Sequence, residues 1–271
     1  MAISLYHPKS LYRRILFLKA ASILKRYKVY DVSISDNMVR IPCSLRSIGN
    51  NIEIKLNAYN GDYCDKAMGL LYIDMNRDAI VYLNGKPHYG YDKYHKYIPI
   101  DNPCIENVVE LKMYTTYTFG EHSEMFKINR IDYIVVLKDL WYLANRLSYL
   151  LEVIDLFKDH WLAYELSKLL RESLDLVYVD TITRESLEAI IDLFDPSLGA
   201  FYELVDDLKA LLRERSEELC KAGLRKPDYD RLLRNSALAR KYLDDNLLRL
   251  NEKYWREGSV YIVSHAHIDA A

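Results

Sequence analysis

The hydrophobic pattern of this chain changes its period near the middle, and that change limits the folds it can adopt. From about Val29 to Met125, short runs of β-branched and aromatic residues alternate with polar ones. From about Ile131 to Lys253, apolar residues recur every three or four positions. Alternation with period two is typical of strands, and the longer period is typical of amphipathic helices. The pattern therefore predicts a β region followed by an α-helical region.

The first region is typical of an antiparallel sandwich. Ile52–Leu56 and Val108–Tyr114 alternate apolar and polar side chains. Ala79–Leu83 is followed by Asn84 and Gly85, which both tolerate the positive φ of a type I′ hairpin turn. Six of the nine glycines lie in this region, where turns are needed: Gly49, Gly61, Gly69, Gly85, Gly90 and Gly120. We expect a jelly-roll-like sandwich over residues 29–128.

Helices are predicted on both sides of the sandwich. Residues 1–28 form an N-terminal helix, with seven Lys or Arg residues and no acid; a transit peptide is the alternative. Residues 129–257 form the main helical region. In it, Thr183 is predicted to cap one helix, a further helix covers residues 197–220, and a last helix follows Pro227. The apolar faces are expected to bury Trp141 and Trp161.

Composition narrows the class of protein. The formal charge is −2, so we expect no nucleic-acid partner, and no apolar run reaches the roughly 18 residues of a membrane span. The chain has 24 Tyr and no Gln, and the absence of this thermolabile amide favours a thermophilic source. Its four cysteines, Cys43, Cys64, Cys104 and Cys220, include no C-x-x-C pair. Two disulfides are the alternative, but free thiols and a cytoplasmic location are expected.

The pattern changes again at the C-terminus. After Gly258, Ser259–Ser264 reads as a buried parallel strand, as in an α/β barrel. His265, His267 and Asp269 follow at alternate positions, so on an extended strand end they share one face. Imidazole and carboxylate groups at this spacing are natural ligands for a divalent metal, with zinc the first choice. A terminal tail without function is the alternative.

These residues carry a family resemblance. Val260–Ala271 resembles the first barrel strand of the α-mannosidases of glycoside hydrolase family 38, in which an apolar strand leads into His-x-His-x-Asp. A weaker similarity covers Val81–Pro87, followed by Gly90, Asp92 and His95. It resembles the sandwich that precedes the barrel in cytosolic and microbial members. The order of helix, sandwich, helices and first barrel strand, the last over residues 258–271, is also similar.

The resemblance implies a function. It makes the chain the N-terminal portion of a zinc-dependent retaining α-mannosidase with a multidomain α and β fold and an incomplete barrel. His267 and Asp269 would bind zinc, and His265 would pack or hydrogen-bond behind them. The family's nucleophile and acid/base lie downstream of this motif, so no catalytic residue is assigned and the chain alone is expected to be inactive. We therefore expect a fragment, a split gene or a second chain that supplies the barrel; a homo-oligomer is an alternative, and no membrane partner is expected.

A second cluster of candidate residues follows the hairpin. His88, Tyr89, Tyr91, Asp92, Tyr94 and His95 have the side chains that stack on or hydrogen-bond to sugars. Packing within the sandwich is the favoured interpretation of the tyrosines. Asp92 and His95 are candidates for a carbohydrate contact or for a contact that orients the sandwich against the barrel. The alternative function for the whole chain is accordingly a non-catalytic carbohydrate-binding or scaffold module.

Overall fold

The computed structural model describes residues 8–45, 51–92, 94–113, 125–193 and 227–254. Elements are numbered in the order in which these residues form them. The strands are β1 (Ile23–Val29), β2 (Asp31–Ile34), β3 (Asn37–Arg40), β4 (Cys43–Leu45), β5 (Asn51–Leu56), β6 (Ala67–Met75), β7 (Ala79–Leu83), β8 (Lys86–Tyr91), β9 (Tyr97–Ile100), β10 (Asn107–Met113) and β11 (Phe126–Leu137). The helices are α1 (Pro8–Ser22), α2 (Lys138–Leu156), α3 (Trp161–Leu176), α4 (Arg184–Leu193) and α5 (Tyr229–Tyr254), with one 3₁₀ turn at Cys64–Lys66.

The strands form two sheets that pack face to face, which confirms the antiparallel sandwich. The outer sheet has the order β3-β2-β5-β10-β7-β8. The helix-facing sheet has the order β1-β11-β6-β9, and β4 also pairs with β11. Every strand pair described is antiparallel. Alternate side chains of both sheets meet in one apolar core, as the period-two pattern predicted; its members include Ile52, Ile54, Leu71, Ile73, Val109 and Leu111.

The predicted hairpin is confirmed in its backbone. Strands β7 and β8 pair with Leu83 opposite Lys86. The two residues between them, Asn84 and Gly85, have φ of 50° and 78°. A type I′ turn needs positive φ at both central positions, and its twist matches that of the flanking strands. The dipeptide therefore fixes this turn locally.

A layer of helices covers the second face of the helix-facing sheet. Ile134 and Val136 of β11 lie in a helical core with residues from all five helices, whereas Tyr133 and Val135 lie in the sandwich core. The protein thus has three layers: outer sheet, helix-facing sheet and helices. None of the helices in the described ranges is long and apolar enough to cross a membrane.

Two predicted element boundaries are wrong. Helix α1 ends at Ser22 rather than at residue 28, because Ile23–Val29 forms strand β1 and pairs with β11. The helices begin at Lys138 rather than at 129, because β11 continues to Leu137. The strand is covered on both faces, so its last seven residues form an almost continuous apolar run. Such a run cannot be distinguished from a helix by its period.

The helical predictions otherwise agree where the structure describes them. The Thr183 hydroxyl accepts a hydrogen bond from the Ser186 amide at 3.0 Å, which confirms the cap of α4. Helix α5 begins at Tyr229, just after Pro227. Trp141 is half-buried against the helical core, but Trp161 is 39% exposed, so its predicted core position is wrong. It is the first residue of α3. The helix predicted over 197–220 lies outside the described residues.

The expectation of free thiols is wrong for one pair of cysteines. Cys64 and Cys104 form a disulfide with their Cα atoms 5.9 Å apart. The two residues lie in connections that meet because β5 pairs with β10, and the Tyr59 amide donates to the Pro103 carbonyl at 2.8 Å. Cys43 is free and half-buried, and burial raises the pKa of its thiol. Cys220 lies outside the described residues. The cysteines therefore no longer support a cytoplasmic location.

Candidate functional site

The predicted metal motif lies outside the described residues. Helix α5 ends at Tyr254, and His265, His267 and Asp269 belong to the segment 255–271. Within the described ranges, no group of three or more His, Cys, Asp or Glu side chains is placed to hold a metal ion. The zinc ligands proposed from the sequence thus remain a prediction.

Asp92 and His95 lie together on the connection between β8 and β9. One carboxylate oxygen of Asp92 accepts the backbone amides of Tyr94 at 2.7 Å and His95 at 2.9 Å. The other is 2.7 Å from Nδ1 of His95. Partial burial raises the pKa of Asp92, but the hydrogen bonds to the His95 side chain and to the two amides outweigh it and lower that pKa overall. The pair closes a turn and presents a His95 side chain that is 62% exposed.

The aromatic residues around this turn have different environments. Tyr91 is 2% exposed, and its hydroxyl bonds to the backbone of Met75, so its predicted packing role is confirmed. His88 approaches the Pro99 carbonyl with its Nε2 at 2.5 Å and so connects β8 of the outer sheet to β9 of the helix-facing sheet. Tyr94, by contrast, is 80% exposed. Only Tyr94 of these three presents its ring to solvent.

A buried charge cluster, which the sequence did not predict, lies where β1, β11 and α4 meet. Asp132 on β11 is fully buried and accepts from Nε of Arg26 at 2.8 Å and from Nε of Arg130. Nη1 of Arg26 donates to the Asp192 carboxylate at 2.8 Å, and Nη1 of Arg130 donates to the Asp192 backbone carbonyl at 2.7 Å. We refer to Arg26, Arg130, Asp132 and Asp192 as the ionic cluster. The ionic cluster connects helix α4 to strands β1 and β11.

The carboxylates of the ionic cluster favour the charged form of Arg26. Burial lowers the pKa of Arg26, but the hydrogen bonds and charges of Asp132 and Asp192 outweigh this effect and raise that pKa above its usual value. The Arg26 side chain is only 5% exposed. Two donors in the cluster have no hydrogen-bond acceptor among the described residues: Nη2 of Arg26 and Nη2 of Arg130, both buried.

The ionic cluster forms one side of a cavity of about 310 Å³. Lys28 and Asn129 extend its polar side, and the remaining lining is largely apolar: Val29, Tyr30, Ile41, Pro42 and Ile131. One signal in the sequence points to this site. Asp132 is the only charged residue in the apolar run from Ile131 to Leu137, and the first 30 residues supply basic side chains without acids. A buried acid needs such a partner.

No protein-family model matches this chain, and a search of curated proteins finds no significant match.

Proposed function

We propose that the chain forms the N-terminal sandwich and helical portion of a zinc-dependent retaining α-mannosidase, with residues 258–271 as the first strand of its α/β barrel. The observation that carries the proposal is the His265, His267, Asp269 motif directly after an apolar strand sequence. The fold supports it in general terms: a helix, an antiparallel sandwich and further helices precede the motif in that order. The multidomain arrangement and the jelly-roll type of the sandwich belong to the same proposal.

The roles of the motif residues follow from their side chains. His267 and Asp269 are the proposed zinc ligands, and His265 packs or hydrogen-bonds behind them, where it orients a ligand. Zinc, when bound, would hold vicinal hydroxyls of the mannose ring. Retention of configuration needs two carboxyl groups about 5 Å apart, one as nucleophile and one as acid/base. No residue of this chain is assigned to either role, so we expect the purified 271-residue chain to hydrolyse no aryl α-mannoside.

The test uses the native gene product, purified from its source with any chain that accompanies it. We expect it to hydrolyse an aryl α-mannoside, to lose activity with a chelator, and to regain activity with zinc. Asp269→Ala should abolish hydrolysis, while Asp159→Ala, the same change at an exposed position between α2 and α3, should retain it. Proton NMR should show α-mannose as the first product. Absence of α-mannosidase activity in the native product refutes the proposal.

One observation favours a second candidate, a carbohydrate-binding module. The exposed ring of Tyr94 lies beside the ordered Asp92–His95 pair, and an exposed aromatic ring next to a polar pair is the composition of a sugar-stacking surface. Titration of the isolated chain with α-mannosides separates the two candidates. Binding that is lost in Tyr94→Ala and kept in Asp269→Ala supports the module, whereas no binding to the isolated chain removes it.

A further inference from the structure

The cavity beside the ionic cluster has the donors of an anion site. We propose that it binds the phosphate group of a small phosphomonoester, with Arg26, Lys28 and Arg130 as the donors. This inference rests on the described residues alone and does not depend on the mannosidase proposal.

Nη2 of Arg26 and Nη2 of Arg130 are buried and have no acceptor among the described residues. Both side chains line the cavity, and only 5% of the Arg26 side chain is exposed to solvent. Nη2 of Arg130 lies 3.6 Å from the Asp192 carboxylate, beyond hydrogen-bond distance. Buried polar groups normally have a partner, and the described residues supply none for these two donors.

The charged side chains around the cavity are more basic than acidic. Arg26, Lys28 and Arg130 line the cavity together with two carboxylates, those of Asp132 and Asp192, which leaves one net positive charge. Lys28 forms no ion pair with any residue that the structure describes, because its strand partner Asp132 is already held by the two arginines. The cavity is therefore suited to an anion rather than to a cation or a neutral ligand.

The three basic side chains differ in the shape of their donor groups. Two guanidinium groups and one ammonium group are the usual donors to phosphate, since each arginine presents a planar fork and lysine a point charge. The volume of about 310 Å³ is at the lower end of small-molecule sites. Val29, Ile41 and Pro42 form an apolar wall that inorganic phosphate does not use. This wall favours a phosphomonoester with a small organic group over free phosphate.

The test is titration of the full chain by calorimetry and ³¹P NMR at constant ionic strength. The probes are glucose 6-phosphate, inorganic phosphate and glucose. We expect saturable one-to-one binding of glucose 6-phosphate, weaker binding of inorganic phosphate, and none of glucose. Equal affinities for the two phosphates would assign the site to free phosphate and overturn the ester. Heats no larger than those of matched sodium chloride would overturn the anion site.

Variants then assign the binding to this cavity. Lys28 lies outside the ionic cluster, so Lys28→Met should fold normally and weaken binding about tenfold, the loss of one charged hydrogen bond. Lys86→Met, an exposed lysine on β8, is the matched control and should bind like the wild type. Arg130→Lys keeps the charge but removes Nη2 and should also weaken binding. Affinity in Lys28→Met equal to that of Lys86→Met refutes the proposal, whatever the folding of the Arg130 variant.

Discussion

Removing the disulfide between Cys64 and Cys104 should strongly destabilise the sandwich. The bond closes a loop with a sequence separation of 40 residues. Restricting a loop of that length in the unfolded chain corresponds to about 4 kcal/mol in the free energy of unfolding. For a chain of this size each kcal/mol shifts the melting temperature by about 3 °C, so the Cys64→Ala/Cys104→Ala variant should melt about 12 °C below the wild type.

The assay is thermal unfolding by circular dichroism, with and without a reductant. The reductant should lower the melting temperature of the wild type and leave the double variant unchanged. Cys43→Ala removes a free thiol and is the control, which should respond to the reductant as the wild type does. Thiol titration in denaturant should yield two more thiols after reduction. A melting temperature of the wild type that does not depend on the reductant, with all thiols titratable beforehand, would refute the bond and the magnitude derived from it.

Three further substitutions test separate features. Gly69→Ala places a Cβ 2.7 Å from the Tyr133 ring and should lower the free energy of unfolding in urea by about 2 kcal/mol, whereas Gly90→Ala, with open space at its Cβ, should change little. Asp132→Ala removes the buried carboxylate that Arg26 and Arg130 share, while Asp192 still pairs with Arg26, and should lower the free energy of unfolding by about 3 kcal/mol in the same assay. Lys19→Met should stabilise the protein by about 1 to 3 kcal/mol at pH 7, because burial, partly offset by Glu152, lowers the pKa of Lys19 from 10.5 to about 8. Below pH 8, Lys19 is charged in both the folded and the unfolded wild type. Between about pH 8 and pH 10.5 the folded wild type releases this proton while the unfolded chain keeps it, so the stability of the wild type rises with pH. The advantage of Lys19→Met in urea unfolding should therefore shrink over that window. A constant advantage of Lys19→Met from pH 7 to pH 10 would contradict the lowered pKa.

The features that the sequence predicted correctly depend on neighbouring residues. The Asn84-Gly85 turn is determined by backbone preferences at two positions, and the Thr183 cap by one hydroxyl near the amide of Ser186. In β5 and β10 alternate side chains are buried, so the sequence of each strand alone shows which of its faces is covered. These signals need no knowledge of the rest of the fold.

The features that it did not predict depend on residues far apart in the chain. Strand β1 follows α1 without a break, and its partner β11 lies more than a hundred positions away. The local sequence therefore does not show where the helix ends and the strand begins. Cys64 and Cys104 meet only because β5 and β10 pair. The cavity needs Arg26, Arg130 and Asp192 from three elements. A single sequence records these residue types but not the pairing that brings them together. The proposed zinc ligands stay a prediction because they lie outside the described residues.

Strand β11 serves two cores at once, and this has a consequence for dividing the protein. Its alternate side chains, such as Tyr133 and Ile134, pack into opposite layers. A piece that stops after the sandwich would expose Ile134 and Val136, together with Met68 and Leu70 of β6, as one continuous apolar surface. Such a surface promotes association between copies. The sandwich and the helices should therefore melt in a single transition, and neither should remain monomeric when expressed without the other.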